Sequence, residues 1–301
     1  MRGSPGNAQS GHAQSGHAQS GHAQSGNRLS ETEVWIAALA GGAAAEDDLA
    51  LAEALVRRGA EIGAYWQRRP LTRTRKTSVS DFFTEADARA EADIVAALTQ
   101  LRPDDAIVGE EGANAIGRSG RSWIIDPIDG TYNYASGLDH WCSAIALRGN
   151  GSALIGAVCQ ATCDETWTGR VEEDGQAQSW LNGIPLPRLP DRALSEVSIA
   201  TYLHPTRFGQ PEIMQPWLAA CAGSATLRML GSGSCDIARV AAGRLGAFLQ
   251  HSTPDWDWFP GVALVIGAGG TSRVVEHRGY RWHVAGGARV VDRLSELLTS
   301  A

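Results

Sequence analysis

The chain has 301 residues, enough for a sizeable core, and with 43% hydrophobic against 20% charged residues it is ordinary globular material, which excludes disorder for most of its length. Its apolar runs are broken well short of the ~20 residues that a membrane-spanning helix needs, and a net charge of −7 argues against a general nucleic-acid binder, because that affinity comes from Lys and Arg neutralising phosphates. Of the 26 basic residues 25 are Arg and one is Lys76, while five Cys, odd in number and without knuckle spacing, read as thiols of a reducing cytoplasm.

Residues 7–26 repeat a pentapeptide, Asn7-Ala-Gln-Ser-Gly and then three copies of His-Ala-Gln-Ser-Gly, with His12, His17 and His22 five apart. Nothing in it can form a core, so residues 1–30 read as a disordered repeat tail or tag. The segment has no apolar stretch of the signal-peptide kind. Beyond it, Leu51, Leu55, Ile62 and Trp66 recur at helical spacing and predict a helix over 47–66 that stops before Pro70. Thr84-Glu-Ala-Asp87 resembles a capping start, and Ala86, Ala90, Ile94 and Leu98 continue a second helix over 84–101. Shorter runs then read as strands: 106–108, 123–125, 143–147 and 154–159, the last two joined as a hairpin through Gly149-Asn150-Gly151. The Pro-rich stretch from Ile184 to Pro190 is the best boundary, giving an α+β half over 31–186 and a second half over 187–301. In that second half strands near 197–200, 227–230, 247–250 and 272–275 alternate with helices near 212–221, 234–245, from Asp257, and 288–298, an α/β pattern.

Carboxylates cluster where strands are expected to stop: Glu110 and Glu111, then Asp126 and Asp129, then Asp257. Strand ends share a crevice in layered α/β folds. Converging carboxylates raise one another's pKa unless a cation sits among them, and hard divalent ions with oxygen ligands are the natural counter-charge. Asp126-Pro127-Ile128-Asp129-Gly130-Thr131 adds a Pro that fixes φ, a Gly that permits close approach, and a helix start suited to phosphate. Taken alone, Asp-Gly-Thr favours a plain turn with Thr131 as a helix cap. The histidines show no ligand spacing, and no Ser or Cys has a visible base partner for covalent catalysis.

Trp123-Ile-Ile-Asp-Pro-Ile-Asp-Gly-Thr-Tyr-Asn133, with Trp256-Asp257 and Ala268-Gly-Gly270 downstream, resembles the two signatures of the inositol monophosphatase family of Mg²⁺-dependent, Li⁺-sensitive phosphatases, in a bacterial-type form. Gly109-Glu-Glu-Gly112, Asp81 to Asp87 and Gly231-Ser232 leading into Asp236 extend the likeness over about residues 45–300. The resemblance implies a layered α-β-α-β-α sandwich of the sugar-phosphatase type, two to three Mg²⁺ per subunit, and a homodimer. It makes Glu110, Asp126 and the Ile128 carbonyl ligands of a first ion, and Asp126, Asp129 and Asp257 ligands of a second. Thr131 with Asp87 behind it, together with Glu110, would orient the attacking water, and the N–H groups of Gly130 and Thr131 would hold phosphate oxygens. Asp129, Gly233 and Gln250 would face the substrate, and Lys76 and Glu111 would stand behind the ligands. Asp87 also fits a plain cap of its helix, and Lys76 one more loop cation.

Two departures bear on substrate. Gln250 stands where inositol-hydrolysing animal members have Glu, and Trp258-Phe259-Pro260 is bulky where small residues are usual. Compact loops and the absence of an insertion for a nucleotide base favour inositol 1-phosphate or a similar small polyol phosphate over histidinol phosphate and 3′-phosphoadenosine 5′-phosphate. A non-catalytic regulator on the same fold would be expected to have lost part of the acidic set, which is intact here.

Overall fold

A computed structural model describes residues 29–301 apart from 79, 80, 150 and 153, with backbone only at 77, 78 and 81; the repeat at 7–26 lies outside the described residues. Helices α1 (Glu31–Ala40) and α2 (Asp48–Gln67) precede a hairpin of β1 (Arg73–Ser78) and β2 (Asp81–Thr84). Helix α3 (Glu85–Leu101) leads to β3 (Ala106–Gly109), β4 (Asn114–Ala115) and β5 (Ser122–Asp129). After the short α4 (Thr131–Ala135) come β6 (Cys142–Arg148), β7 (Leu154–Gln160), β8 (Glu165–Val171), β9 (Ala177–Leu181) and β10 (Ile184–Pro185). The remainder runs β11 (Ser198–Thr201), α5 (Pro211–Cys221), β12 (Thr226–Arg228), α6 (Gly233–Ala241), β13 (Ala247–His251), α7 (Asp255–Gly267), β14 (Thr271–His277), β15 (Tyr280–Gly286) and α8 (Ala288–Thr299).

Strands β10-β9-β8-β7-β6-β5-β3-β4 form an eight-stranded sheet, antiparallel except where β3 lies parallel to β5. Strands β12-β11-β13-β15-β14 form a second sheet, parallel from β12 to β13 and antiparallel beyond. The alternation of side chains along a strand sorts the core into layers. Trp123, Ile125, Ile145 and Ala157 point to one face of the large sheet, against Leu51, Leu55 and Ile94 of α2 and α3. Ile124, Ala144, Ala146 and Val158 point to the other, against Ile237 of α6 and Val262 of α7. Phe248 and Ala285 of the second sheet close that middle layer, and α5 and α8 cover its outer face through Ile213, Val291 and Leu294. The result is the α-β-α-β-α sandwich.

Burial on both faces explains why the β5 and β6 sequences are apolar without alternation. Each large side chain so buried contributes about 1.5–3 kcal/mol. Close approach in the middle layer depends on glycine: a Cβ on Gly156 would lie 2.2 Å from the Pro260 carbonyl oxygen, and one on Gly261 would lie 2.5 Å from Ile237. Helix α7 begins at Asp255 rather than Asp257, so Pro260 sits in its second turn, and α6 ends at Ala241, four residues before the expected Leu245.

Candidate active site

The acidic residues are gathered by one irregularity. Strand β5 extends through Asp129 instead of stopping at Ile125, and its register with β6 slips between Asp126, opposite Ala144, and Asp129, opposite Cys142. In a regular strand two residues three apart face opposite sides. One extra residue on β5 resets that parity and brings both aspartates to a single side. Pro127, which has no N–H to lose, sits within the slip. Asp257, in the first turn of α7, completes the group, and carboxylate oxygens of Asp126, Asp129 and Asp257 all lie within 4.8 Å of one another.

Such crowding is costly without a counter-charge. Burial, then the charges of Glu110, Asp129 and Asp257, push Asp126 well above the ordinary carboxylate range. Asp257 is pushed up in the same way, and Asp129 rises to about 6, burial outweighing its hydrogen bonds. Asp126 Oδ1 is buried with no partner among the described residues. Three hard oxygen donors and an unpaired buried acceptor fit a hard divalent cation such as Mg²⁺.

Neighbouring elements hold the set in place. Asp129 Oδ2 accepts from the Ser232 hydroxyl at 2.9 Å and from the Ser234 N–H. Glu110 follows β3, and its N–H donates to the Ile125 carbonyl at 3.0 Å. Its carboxylate is not one of the close trio; it accepts from Lys76 Nζ at 3.1 Å, and the same ammonium donates to Glu111 at 2.8 Å. Burial opposes that ammonium, but Glu110 and Glu111 hold its pKa above the ordinary lysine value, so it stays charged. Burial lifts Glu111 to about 7, with Glu110 adding to the rise and Lys76 offsetting part of it.

Gly130 caps α4 with φ 90°, and a Cβ there would lie 3.0–3.1 Å from Ser232, the Gly231 carbonyl and the His140 carbonyl. Thr131 Oγ1 donates to the Ile128 carbonyl at 3.1 Å. Asp87 does not reach Thr131 by a hydrogen bond; its Oδ2 accepts from the Thr84 N–H and hydroxyl at 2.8 and 2.6 Å, closing a capping box at the start of α3. Its Oδ1 is buried and unpartnered among the described residues, and burial lifts the group to about 6. Gly233 lies beside Asp257, to whose Cβ an added methyl would come within 3.6 Å. Gln250 is half-buried on β13, opposite His283. Trp258 is buried against Phe248 and His283, and Phe259 packs under the Arg148 guanidinium, 4.4 Å from its ring centre, at the end of β6 remote from Cys142.

Sequence reasoning passed over Glu91. Its carboxylate accepts from the N–H groups of Glu111 and Ala113, both at 3.0 Å, and so shapes the turn that presents Glu110. The signal was present: Asp87 and Glu91 fall on the same face of α3 as Ile94 and Leu98, where a carboxylate needs a buried partner. A groove of about 740 Å³ lined by Arg121, Leu147, Leu154, Arg170 and Glu172 lies at the opposite end of the same strands and includes none of these acidic residues.

A sequence profile described as the inositol monophosphatase family matches residues 45–294. The chain belongs to that family. As a member of the inositol monophosphatase family it is a hydrolase, a phosphatase whose substrate class is the phosphate monoester. It is 34% identical over 202 residues to an inositol-1-monophosphatase of Rhizobium meliloti, covering 66% of this chain and 74% of that protein. It is also 35% identical over 198 residues to the Nus factor SuhB of Pseudomonas aeruginosa, covering 63% and 71%. Among solved structures, an IMPase of Thermotoga maritima superposes with a TM-score of 0.70 at 26% identity, covering 84% of this chain and 97% of that one. The extragenic suppressor protein SuhB of Bartonella henselae superposes at 0.71 with 25% identity, covering 84% and 98%. Among the described residues no helix is long and apolar enough to cross a membrane.

Proposed function

We propose that this phosphatase hydrolyses a small polyol phosphate, inositol 1-phosphate first, with Mg²⁺ held by Asp126, Asp129 and Asp257 and by Glu110 with the Ile128 carbonyl. The observation that carries the reading is the close trio of carboxylates with an unpaired buried oxygen. Bound there, Mg²⁺ supplies positive charge that favours an ionised nucleophile and neutralises the leaving oxygen. The protein's share is positioning. Thr131 sits at the start of α4 with its hydroxyl turned to the Ile128 carbonyl, where it can orient water together with Glu110. The Gly130 and Thr131 N–H groups are offered to phosphate oxygens, and Asp129, Gly233 and Gln250 to the alcohol portion. The Lys76 ammonium, shared with Glu111, offsets the charge of Glu110 from behind.

Trp258 packs inward and Phe259 lies under Arg148, so by the contacts they make neither bulky ring narrows the space at the carboxylates, and the departure at 258–260 does not count against inositol 1-phosphate. A phosphate-release panel over inositol 1-phosphate, histidinol phosphate and 3′-phosphoadenosine 5′-phosphate, with Mg²⁺, Li⁺ and EDTA arms, tests the reading. Release is expected only with Mg²⁺, suppressed by millimolar Li⁺ and fastest with inositol 1-phosphate; faster release from histidinol phosphate overturns the choice of alcohol. The likeness to SuhB proteins favours a second reading, a regulatory binding protein on this fold. No Mg²⁺-dependent release from any of the three esters would select it. The first reading extends to a homodimer, checked by sedimentation, in a reducing cytoplasm, which suits the five free cysteines.

A further inference from the structure

Helix α6 carries none of the residues assigned to the cation, yet its N-terminus supplies the two short hydrogen bonds to Asp129 Oδ2, from the Ser232 hydroxyl and the Ser234 N–H, beside a longer contact from the Cys142 thiol at 3.9 Å. Its placement against the end of β5 therefore decides how Asp129 is presented. Beyond its core packing against α7, two polar ties hold it, both from adjacent residues of the loop between α4 and β6. His140 Nε2 lies 3.0 Å from Asp236 Oδ1, with those side chains 19% and 4% exposed. The Asp139 carbonyl accepts from Gln160 Nε2 at 2.7 Å, and Gln160 Oε1 accepts from Arg239 Nη2 at 2.6 Å. Asp236 and Arg239 are three apart, so both ties grip one face of α6. Asn133 adds a link from α4: its amide spends both protons, one on the His140 carbonyl at 2.8 Å and one on the Leu230 carbonyl at 2.7 Å, two residues before Ser232.

We infer that the His140–Asp236 pair is a clamp between α6 and the loop after α4, and that His140 is thereby a positioning residue for Asp129 in cation binding. The inference rests on the cation reading proposed above. A carboxylate that keeps one oxygen for a cation needs its other oxygen fixed by donors, and losing such outer partners weakens metal affinity about 10–100-fold. When His140 lets go, the N-terminal turn of α6 keeps its core packing and the second tie but loses the contact nearest Ser232 and Ser234, so their two donors are less firmly aimed at Oδ2, where the Cys142 thiol on β6, 3.9 Å away, is the other partner. The clamp touches neither substrate nor cation, so its effect is on affinity and not on the chemical groups themselves.

Mg²⁺ binding by calorimetry, with melting curves in EDTA for every variant, is the test. His140→Ala is expected to weaken Mg²⁺ binding roughly tenfold while the EDTA melting temperature shows the fold intact. His140→Gln, whose amide can still donate to Asp236, is expected to restore most of the affinity, which a role in bulk packing would not produce. Wild-type affinity in a folded His140→Ala overturns the inference. Should that variant not fold, Arg239→Met severs the second tie alone: severalfold weaker Mg²⁺ binding supports the clamp, and unchanged binding overturns it. Asp129→Asn separates the two layers of argument. If it binds Mg²⁺ as the wild type does, the cation reading itself has failed; if it loses Mg²⁺ and His140→Ala does not, only the clamp has.

Discussion

Asp129 combines two demands on one carboxylate: Oδ2 is occupied by Ser232 and Ser234, and the group still belongs to the close trio. Asp129→Asn keeps the shape and removes the charge, so Mg²⁺-dependent phosphate release is expected to fall on the order of a hundredfold or more, the several kcal/mol that a cation supplies to a transition state. Full retention of rate in a steady-state assay would refute the assignment. Lys76 is the reverse case. Its ammonium pairs with Glu110 and Glu111, neutralising them without a cation and repelling a cation that arrives. Lys76→Met is therefore expected to lower the melting temperature in EDTA and to tighten Mg²⁺ binding severalfold, both read in one titration series; weaker binding would show that the ammonium organises Glu110 instead of competing for it. The single lysine was visible in sequence, but its partners were not, because the hairpin that carries it, Arg73–Ser78 with Asp81–Thr84, has too few apolar residues to register as strands.

The elements easiest to read were those whose pattern serves one partner. Helices α2 and α3 bury one stripe each, and their spacing placed them within a residue or two of Asp48–Gln67 and Glu85–Leu101. Helix α1 offers little to read beyond the Ser30–Glu33 capping box: Ile36 is its only buried residue, so no apolar stripe marks it. Strand β8 escaped for a different reason: Gly169 interrupts it where a Cβ would come within 3.0 Å of the Ala263 carbonyl oxygen, so the demand of α7 overrides strand propensity. The slip in β5 was legible only as Pro127, and the consequence, two aspartates on one side, needed the register. The same logic of close approach applies at Gly261, whose absent side chain lets α7 cross Ile237 of α6. Gly261→Ala is expected to cost about 1–3 kcal/mol by overpacking, measured as a shift of the urea midpoint at unchanged slope. Because α6 holds Asp129, Mg²⁺ affinity should fall with it; a destabilised variant with wild-type affinity would show that the two helices respond independently.

The acidic centre makes stability, pH and cation a single linked system. In EDTA, Asp87 and Asp129 are held up to about 6, Glu111 to about 7, and Asp126 and Asp257 well above their ordinary 3.8. A carboxyl raised on folding binds more protons in the folded chain between its unfolded and folded values, so its contribution falls as pH rises through that window. His283 opposes the trend: burial holds it neutral down to about 4, so it adds stability as pH rises from about 4 to 6.5. Such terms are common to samples with and without Mg²⁺ and cancel in the difference between them. What remains is the centre, where the cation must displace the protons that the crowded carboxyls retain. The gain in melting temperature on adding Mg²⁺ is therefore expected to be small at pH 5 and to grow through pH 7.5, reaching roughly 5–10 °C at a hundred times the dissociation constant. Asp129→Asn should flatten that growth, whereas Lys76→Met should steepen it, because the ammonium no longer stabilises the ionised carboxylates without a cation. A gain equal at pH 5 and pH 7.5 would mean that Mg²⁺ binds where no proton is displaced, and hence away from Asp126, Asp129 and Asp257.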